Sequence, residues 1–181
     1  MPMNEEYSLP YNLFLIGFMG SGKSSVAAYL HRKYEMPLFE MDETIAEREG
    51  MSIPELFETM GEEYFRAAET ALLIELQSNQ NTVVSCGGGV PMRACNVEAM
   101  KRNGKVILLT ASPETILTRV SGNDNRPLLK GRKNVAGIQA LMEQRRPCYE
   151  AAADLTIATD GKKVEEICRE IFQRLQGTPA D

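Results

Sequence analysis

Short apolar runs alternate with longer amphipathic segments along the whole chain. The apolar runs have the length of buried strands and lie at 12–16, 38–41, 82–85, 105–110 and 155–158. Apolar residues three and four positions apart predict helices at 23–34, 42–49, 62–77, 135–146 and 164–175, with further helices beginning near Ser52, Pro91 and Ser112. Strands that alternate with helices in this way form a parallel sheet with helices on both faces. In such sheets ligands bind beyond the carboxyl ends of the strands, so the residues after each strand are the candidates for chemistry.

Composition narrows the class of protein. The chain has 181 residues, of which 43% are hydrophobic and 25% charged, which fits one folded domain over 1–181 and excludes extensive disorder. Its net charge of −5 argues against a nucleic-acid or membrane-surface partner, and no apolar run reaches the ~20 residues of a membrane span. The four cysteines are widely spaced and residues 1–10 lack a secretory signal pattern, so we expect free thiols and a cytoplasmic location.

The strongest motif follows the first predicted strand. Residues 17–24 read Gly-Phe-Met-Gly-Ser-Gly-Lys-Ser, which satisfies the P-loop pattern G-x-x-x-x-G-K-[ST]. Glycines let several backbone N–H groups point at one anion, and the N-terminus of the following helix adds partial positive charge. Lys23 would then reach the β- and γ-phosphates of a nucleoside triphosphate, and the Ser24 hydroxyl would bind Mg²⁺.

The acidic partner that a P-loop magnesium site usually has must come from elsewhere. The third and fourth strands lead to Ser85 and Thr110 rather than to an aspartate, and no strand is followed by the Asn-Lys-x-Asp motif of guanine-specific switches. Glu40 and Asp42, two positions apart after the second strand, could supply this acidity. One could hold Mg²⁺ through water, and the other could accept the proton of an alcohol. Alternatively, Glu40 is a solvated edge residue and Asp42 only caps the next helix.

Two arginines and three consecutive glycines indicate a small anionic acceptor. Arg66 borders the buried face of one predicted helix, and Arg145 lies at the end of another. Their rigid guanidinium forks suit a carboxylate, although exposed arginines also serve solubility. Glycines at 87–89 follow a buried strand, where they leave backbone amides free and admit a ligand at close range.

The basic loop at 121–133 has the composition of a nucleotide lid. Such a lid closes over the phosphates, excludes water and would bring Arg126 to the transferring group. An ordinary solvated loop has a similar composition, so the lid remains one of two interpretations at this point.

These motifs, in this order, resemble the shikimate kinase family through nearly the whole chain. Beyond the P-loop, the resemblance rests on Asp42 after strand two, Gly61-Glu62-x-x-Phe65-Arg66, Ser85-x-Gly87-Gly88-Gly89, Arg126-Pro127-Leu128-Leu129 and Arg145-x-Pro147-x-Tyr149. It implies a P-loop NTPase fold of the nucleoside-monophosphate-kinase-like form, a three-layer α/β/α arrangement whose five-stranded parallel sheet has the order 2-3-1-4-5. It also implies a substrate-binding region at about 42–70 and a mobile lid at about 121–133.

By this resemblance, ATP phosphorylates the 3-hydroxyl of shikimate to give shikimate 3-phosphate and ADP, a step toward chorismate and the aromatic amino acids. The resemblance implies three catalytic residues, Lys23, Asp42 as the base, and Arg126. The residues that would bind ATP are Gly20, Ser21, Gly22, Lys23, Ser24, Ser25, Arg119 and Arg126. Of these, Arg119 would lie beside adenine. The residues that would bind shikimate are Asp42, Arg66, Gly87, Gly88, Gly89 and Arg145. The two arginines among them would hold its carboxylate. Mg²⁺ would be bound by Ser24 and, through water, by Glu40. We expect the protein to work as a monomer.

The sequence departs from the family pattern at one position, and two other functions would share some of its motifs. The family usually has Asp-x-Asp after strand two, whereas this chain has Glu40, whose longer side chain moves the carboxylate by ~1.5 Å. A P-loop kinase for gluconate or a nucleotide would share the phosphate loop, although Arg66 and Arg145 favour an acceptor with a carboxylate. A nucleotide-binding switch without phosphotransferase activity is the third function, and the missing guanine motif and the basic loop weigh against it.

Overall fold

The structure, a computed structural model, describes residues 8–121 and 134–177. Within them, five parallel strands form one sheet: β1 (Asn12–Ile16), β2 (Leu38–Glu40), β3 (Val83–Ser85), β4 (Gly104–Thr110) and β5 (Leu155–Ala158). Their order across the sheet, β2-β3-β1-β4-β5, confirms the predicted topology. The central strand is β1, in which Leu13 pairs with Val83 on one side and Lys105 on the other.

The described residues also form α1 (Lys23–Tyr34), α2 (Met41–Glu49), α3 (Ile53–Met60), α4 (Glu62–Leu76), α5 (Ala94–Arg102), α6 (Pro113–Val120), α7 (Val135–Ala152) and α8 (Val164–Leu175). Ser52 begins α3 with a capping box, in which its hydroxyl accepts from the Glu55 N–H and the Glu55 carboxylate accepts from the Ser52 N–H. Ser112 caps α6 in the predicted way, by accepting from the Thr115 N–H.

Alternate residues of β1 pack on opposite faces of the sheet. Leu13 and Leu15 contribute to a core with α1 and α8. Phe14 and Ile16 contribute to a second core with α2 through α7. Because both faces of the strand are buried, residues 13–16 of β1 are apolar without alternation, and the protein has the predicted three layers.

Helix α7 differs from its prediction, which ends it at Arg146, before Pro147. The helix continues through this proline to Ala152. Pro147 removes one helical hydrogen bond and its ring crowds the preceding turn, and this cost is offset because Tyr149 and Ala152 beyond it are buried in the core. Arg145 therefore lies inside a helix, held between two turns, and not at a helix end.

Pro91 also lies in an element other than the predicted helix. Residues Val90–Met92 form a short 3₁₀ turn, and α5 begins three residues after the proline. The prediction of free thiols at all four cysteines is confirmed. Across the described ranges, every helix is too short or too polar to cross a bilayer. Of the predicted lid, residues 122–133, including Arg126, lie outside the described residues.

Candidate active site

The loop between β1 and α1 forms a cradle for an anion. Gly20 and Gly22 have φ angles of 77° and 102°, which side chains with a Cβ rarely adopt. No side chain among the described residues caps the N-terminus of α1, and its first turn carries no acidic residue. Its first N–H groups are therefore directed at the space in front of the loop, with the positive end of the helix dipole behind them.

Lys23, the first residue of α1, lies across this cradle. Its Nζ donates to the carbonyl oxygens of Gly17 at 2.8 Å and Phe18 at 3.1 Å. Ser24 and Ser25 follow in the first turn of α1 and are exposed. The backbone and these side chains thus bring the predicted phosphate-binding residues to one end of one helix.

The cradle is supported from the fourth and fifth strands. Nη1 of Arg119, in the last turn of α6, donates to the Gly20 carbonyl at 2.9 Å and to Oγ1 of Thr159 at 3.1 Å. Thr159 is buried beyond β5, and its hydroxyl lies 2.9 Å from the Thr110 carbonyl and 3.2 Å from that of Ser21. The sequence left the contacts of Thr159 unassigned, because it follows a weak strand in a segment that aligns with no motif.

Glu40 lies at the end of β2, beside the cradle. Burial raises the pKa of the Glu40 carboxyl, and the hydroxyls of Ser85 and Ser24 and the charge of Lys23 oppose this shift. These neighbours place Glu40 next to the Ser24 hydroxyl and not on a solvated edge. The described residues contain no group of three or more acidic, histidine or cysteine side chains that could hold a metal. A hydroxyl and one carboxylate, completed by phosphate and water oxygens, is nevertheless a donor set that Mg²⁺ accepts.

The glycines after β3 make room for two guanidinium groups. A Cβ atom at Gly89 would lie 2.5 Å from Nη1 of Arg66, and one at Gly88 would lie 3.0 Å from Nη1 of Arg145. Neither side chain could keep its position if these residues had side chains of their own. The loop therefore brings together two arginines that are 79 positions apart, from α4 and α7.

Gly87 makes room in the same way for two carboxylates. A Cβ atom there would lie 2.9 Å from Oε1 of Glu69 and 3.1 Å from Oδ1 of Asp42. Asp42 is in the first turn of α2, exposed, with one oxygen directed at this glycine. The same glycine loop is therefore close to two carboxylates and two guanidinium groups.

Glu69 is a site residue that sequence reasoning missed. It is fully buried, and its Oε2 accepts from Nη1 of Arg66 at 2.8 Å, while Oε1 has no hydrogen-bond partner among the described residues. Burial raises the pKa of Glu69, Arg66 opposes the shift, and Asp42 adds to it. Its spacing of three positions from Arg66 on one helix face could have identified it.

The two arginines differ in their partners. Arg66 makes ion pairs with Glu69 at 2.8 Å and with Glu62 at 3.3 Å. Arg145 makes no ion pair with any described residue, and its Nη1 lies 3.5 Å from the hydroxyl of Tyr149. That hydroxyl donates to the Gly88 carbonyl at 2.8 Å. Arg145 is thus a positioned cation whose charge no described carboxylate balances.

A pocket of about 260 Å³ opens between these groups. Its lining consists of Glu62, Glu63, Arg66, Gly89, Met92, Arg93 and Arg145. Arg93, which sequence reasoning also missed, pairs with Glu63 at 2.6 Å across the mouth of the pocket. The loop after β3 also lies against the cradle, because a Cβ atom at Gly88 would lie 3.9 Å from the Gly17 carbonyl oxygen. The two sites therefore share one edge of the sheet.

Comparison with known proteins identifies this combination. A sequence model of the shikimate kinase family matches residues 19–176. The chain belongs to the shikimate kinase family. Shikimate kinase from Persephonella marina is 41% identical over 165 residues, which cover 91% of this chain and 99% of that protein. Shikimate kinase from Dehalococcoides mccartyi is 39% identical and covers 91% of this chain and 93% of its own length. These matches confirm the family that the motifs indicate.

Solved structures of the shikimate kinase family have the same fold. Shikimate kinase from Acinetobacter baumannii in complex with shikimate superposes with a TM-score of 0.88 at 33% identity, and the match covers 97% of this chain and 98% of that one. A gluconokinase from Sinorhizobium meliloti has a TM-score of 0.59 at 20% identity, with 93% of each chain covered, which shows that it shares the fold. The predicted P-loop kinase fold is confirmed.

Proposed function

We propose that this chain transfers the γ-phosphoryl group of ATP to the 3-hydroxyl of shikimate, giving shikimate 3-phosphate and ADP on the route to chorismate and the aromatic amino acids. The observation that carries the proposal is the pair of arginines, Arg66 and Arg145, placed beside the P-loop by the glycines after β3. A guanidinium fork matches the two oxygens of a carboxylate, and a carboxylate is small enough for a pocket of this size. Shikimate carries one carboxylate and hydroxyl groups on the same ring.

The acceptor carboxylate would bind between the two arginines. Arg145 offers a cation that no described carboxylate balances, while Glu69 holds the guanidinium of Arg66 in one orientation. The ring hydroxyls would then lie toward Gly87, Gly88 and Asp42, where carboxylate and backbone groups can hydrogen-bond them. This arrangement orients the acceptor before reaction, which is the main contribution that a protein makes to phosphoryl transfer.

Asp42 would act as the base. Its carboxylate projects from the first turn of α2 into the space beside Gly87, where an acceptor hydroxyl could donate to it. Accepting the proton as the hydroxyl oxygen attacks phosphorus prevents positive charge from building up on that oxygen. The Glu69 carboxylate faces the same glycine, but its second oxygen is already bound to Arg66.

The triphosphate would bind in the cradle. Backbone groups of Gly20, Ser21 and Gly22 and the side chains of Lys23, Ser24 and Ser25 would hold it, with Arg119 beside adenine. Lys23 would exchange the loop carbonyls that it now binds for phosphate oxygens, since charged acceptors make stronger hydrogen bonds. Mg²⁺, held by Ser24 and through water by Glu40, would neutralise phosphate charge. Arg126, from the proposed lid, would stabilise the transferring group.

We further propose that the chain acts as one kinase domain and as a monomer in the cytoplasm. All groups invoked above come from one chain, and ATP and a reducing environment for free thiols are both cytoplasmic conditions. A sedimentation experiment that gives the mass of a dimer would contradict the monomer.

A coupled assay of ADP release tests the proposed function. The purified chain is given ATP and Mg²⁺ with shikimate, gluconate or a nucleoside monophosphate, or with no acceptor. Among these acceptors, we expect ADP to be released only with shikimate. We expect this release to stop when EDTA removes Mg²⁺. Greater kcat/KM with gluconate or a nucleotide would favour a different small-molecule kinase. Tight ATP binding without transfer to any acceptor would favour a nucleotide-binding switch.

A further inference from the structure

A buried hydrogen-bond junction connects the two walls of the acceptor pocket. The hydroxyl of Thr70, on α4, lies 2.7 Å from Oδ1 of Asn96, on α5. The amide of Asn96 donates through Nδ2 to the Val90 carbonyl at 2.9 Å, which fixes its oxygen as the group that faces Thr70. Asn96 is fully buried, so each of its polar groups requires a partner within the protein.

Each end of the junction is close to a pocket residue. Thr70 lies one helical turn after Arg66, and its hydroxyl is also 3.1 Å from the Arg66 carbonyl oxygen. Val90 begins the 3₁₀ turn after the glycines, and its N–H donates to the Gly87 carbonyl at 3.1 Å. The junction therefore links the helix that carries Arg66 to the loop that this guanidinium contacts.

Arg66 packs closely against Gly89, so the direction of its guanidinium depends on this link. Because a Cβ atom at Gly89 would lie 2.5 Å from Nη1, the guanidinium packs directly on the glycine backbone. Movement of α4 relative to the turn would change the direction of the fork. Hydrophobic packing fixes such a distance less specifically than a buried amide and hydroxyl with defined partners.

We propose that Thr70 and Asn96 are positioning residues for the acceptor. They fix the separation of α4 and the 3₁₀ turn, and thereby direct Arg66 at the acceptor carboxylate. This inference rests on the proposed function, because it concerns binding of shikimate. Neither residue touches the reacting atoms, so their loss affects acceptor binding more than nucleotide binding.

The test compares two variants at position 70. Thr70→Val removes the hydroxyl at nearly constant volume, and Thr70→Ser keeps it. We expect Thr70→Val to raise KM for shikimate about 5- to 10-fold, as loss of one buried hydrogen bond implies. We expect KM for ATP and kcat to stay within about twofold, and Thr70→Ser to restore the wild-type KM. If Thr70→Val fails to fold, Thr70→Ala takes its place in the same comparison.

Gln77→Met is the matched control for a merely structural role. Gln77 connects the end of α4 to α5 through a 3.3 Å bond to the Ala99 carbonyl, away from the pocket. We expect it to lower Tm without a change in KM for shikimate. Equal KM values in Thr70→Val and wild type, or an equal rise in Gln77→Met, would overturn the positioning role. Absence of shikimate turnover in the wild type would instead overturn the proposed function, and this inference with it.

Discussion

The phosphate cradle and the acceptor pocket lie at the same edge of the sheet but are built in different ways. The cradle consists of consecutive residues whose backbone N–H groups face outward from one loop and one helix end. The acceptor pocket consists of side chains from α4 and α7, together with the glycine loop and the 3₁₀ turn after β3. The cradle depends on local backbone conformation, whereas the pocket depends on the packing of distant elements.

This difference has a consequence for binding. Backbone N–H groups and one lysine recognise a phosphate chain by charge and shape, and they suit any nucleoside triphosphate. In the proposed function, the pocket would recognise its ligand by two arginines, of which Arg66 contacts Glu69 and Arg145 contacts Tyr149. Catalysis is therefore expected to fail when the cradle is altered, and acceptor selectivity when the pocket is altered.

The largest expected effect is the loss of turnover when the lysine of the cradle is replaced. Lys23→Ala removes the only side-chain cation of the motif, and we expect kcat to fall by at least about 10²–10³-fold. The fold should survive, because Lys23 is not fully buried and the loop carbonyls to which it donates can be solvated by water. Turnover and Tm are measured together, with Lys33→Ala on the exposed end of α1 as the control. A kcat close to that of the wild type would remove the P-loop from the mechanism.

The next effect concerns the two arginines of the pocket. We expect Arg145→Ala to raise KM for shikimate by roughly 10- to 100-fold with little change in KM for ATP, because charged hydrogen bonds are lost. Arg66→Ala should do the same and also lower Tm, since it leaves the buried Glu69 without its cation.

Arg48→Ala is the control for the arginine variants. Arg48 forms an exposed ion pair with Glu75, which contributes little to stability. Equal weakening of shikimate and ATP by Arg66→Ala would contradict the division between cradle and pocket.

A smaller effect is expected from a single methyl group. Gly89 has a φ angle of −89°, which alanine adopts without strain, so Gly89→Ala alters only the space that Arg66 occupies. We expect KM for shikimate to rise about 10-fold while the affinity for ATP is unchanged. Calorimetric titration with each ligand measures both. An unaltered shikimate affinity would show that the close packing of guanidinium on glycine has no functional role.

The smallest effect is a pH dependence of stability. Burial raises the pKa of Glu69 in the folded protein above its unfolded value, so its contribution to stability is present at low pH and is lost as pH rises through the folded pKa. Glu69→Gln cannot ionise, and its free energy of unfolding relative to the wild type should therefore increase with pH. Urea unfolding at several pH values tests this. A relative stability that decreases with pH would mean that Arg66 outweighs burial.

The sequence predicts the cradle better than the pocket, for a physical reason. Residues 17–24 are contiguous, and their conformation follows from glycine and the start of a helix. Glu69 lies three positions after Arg66 on α4, which suggests a pair, but its burial beside Gly87 depends on a segment distant in the sequence. The predicted end of α7 at Arg146 was wrong, because proline disfavours helix locally whereas the burial of Tyr149 favours a longer helix.

The family resemblance supplied what local patterns did not. Asp42, Arg66 and Arg145 are candidates from their own segments, but only the ordered motifs gave them a shared ligand before the structure placed them at one loop. The sequence also left the role of Glu40 open. A charged residue at a strand end is either solvated or functional, and its neighbours Ser24 and Lys23 become visible only in three dimensions.

The central claim is that the arginines of the pocket bind the carboxylate of the acceptor. It is tested most directly by kcat/KM for shikimate and for its methyl ester, each measured with the wild type and with Arg145→Ala. We expect the ester to lose about 10- to 100-fold in the wild type and far less in the variant, because the partner of the carboxylate has already been removed. An equal loss in both proteins would contradict the claim, since it would place the carboxylate away from Arg145.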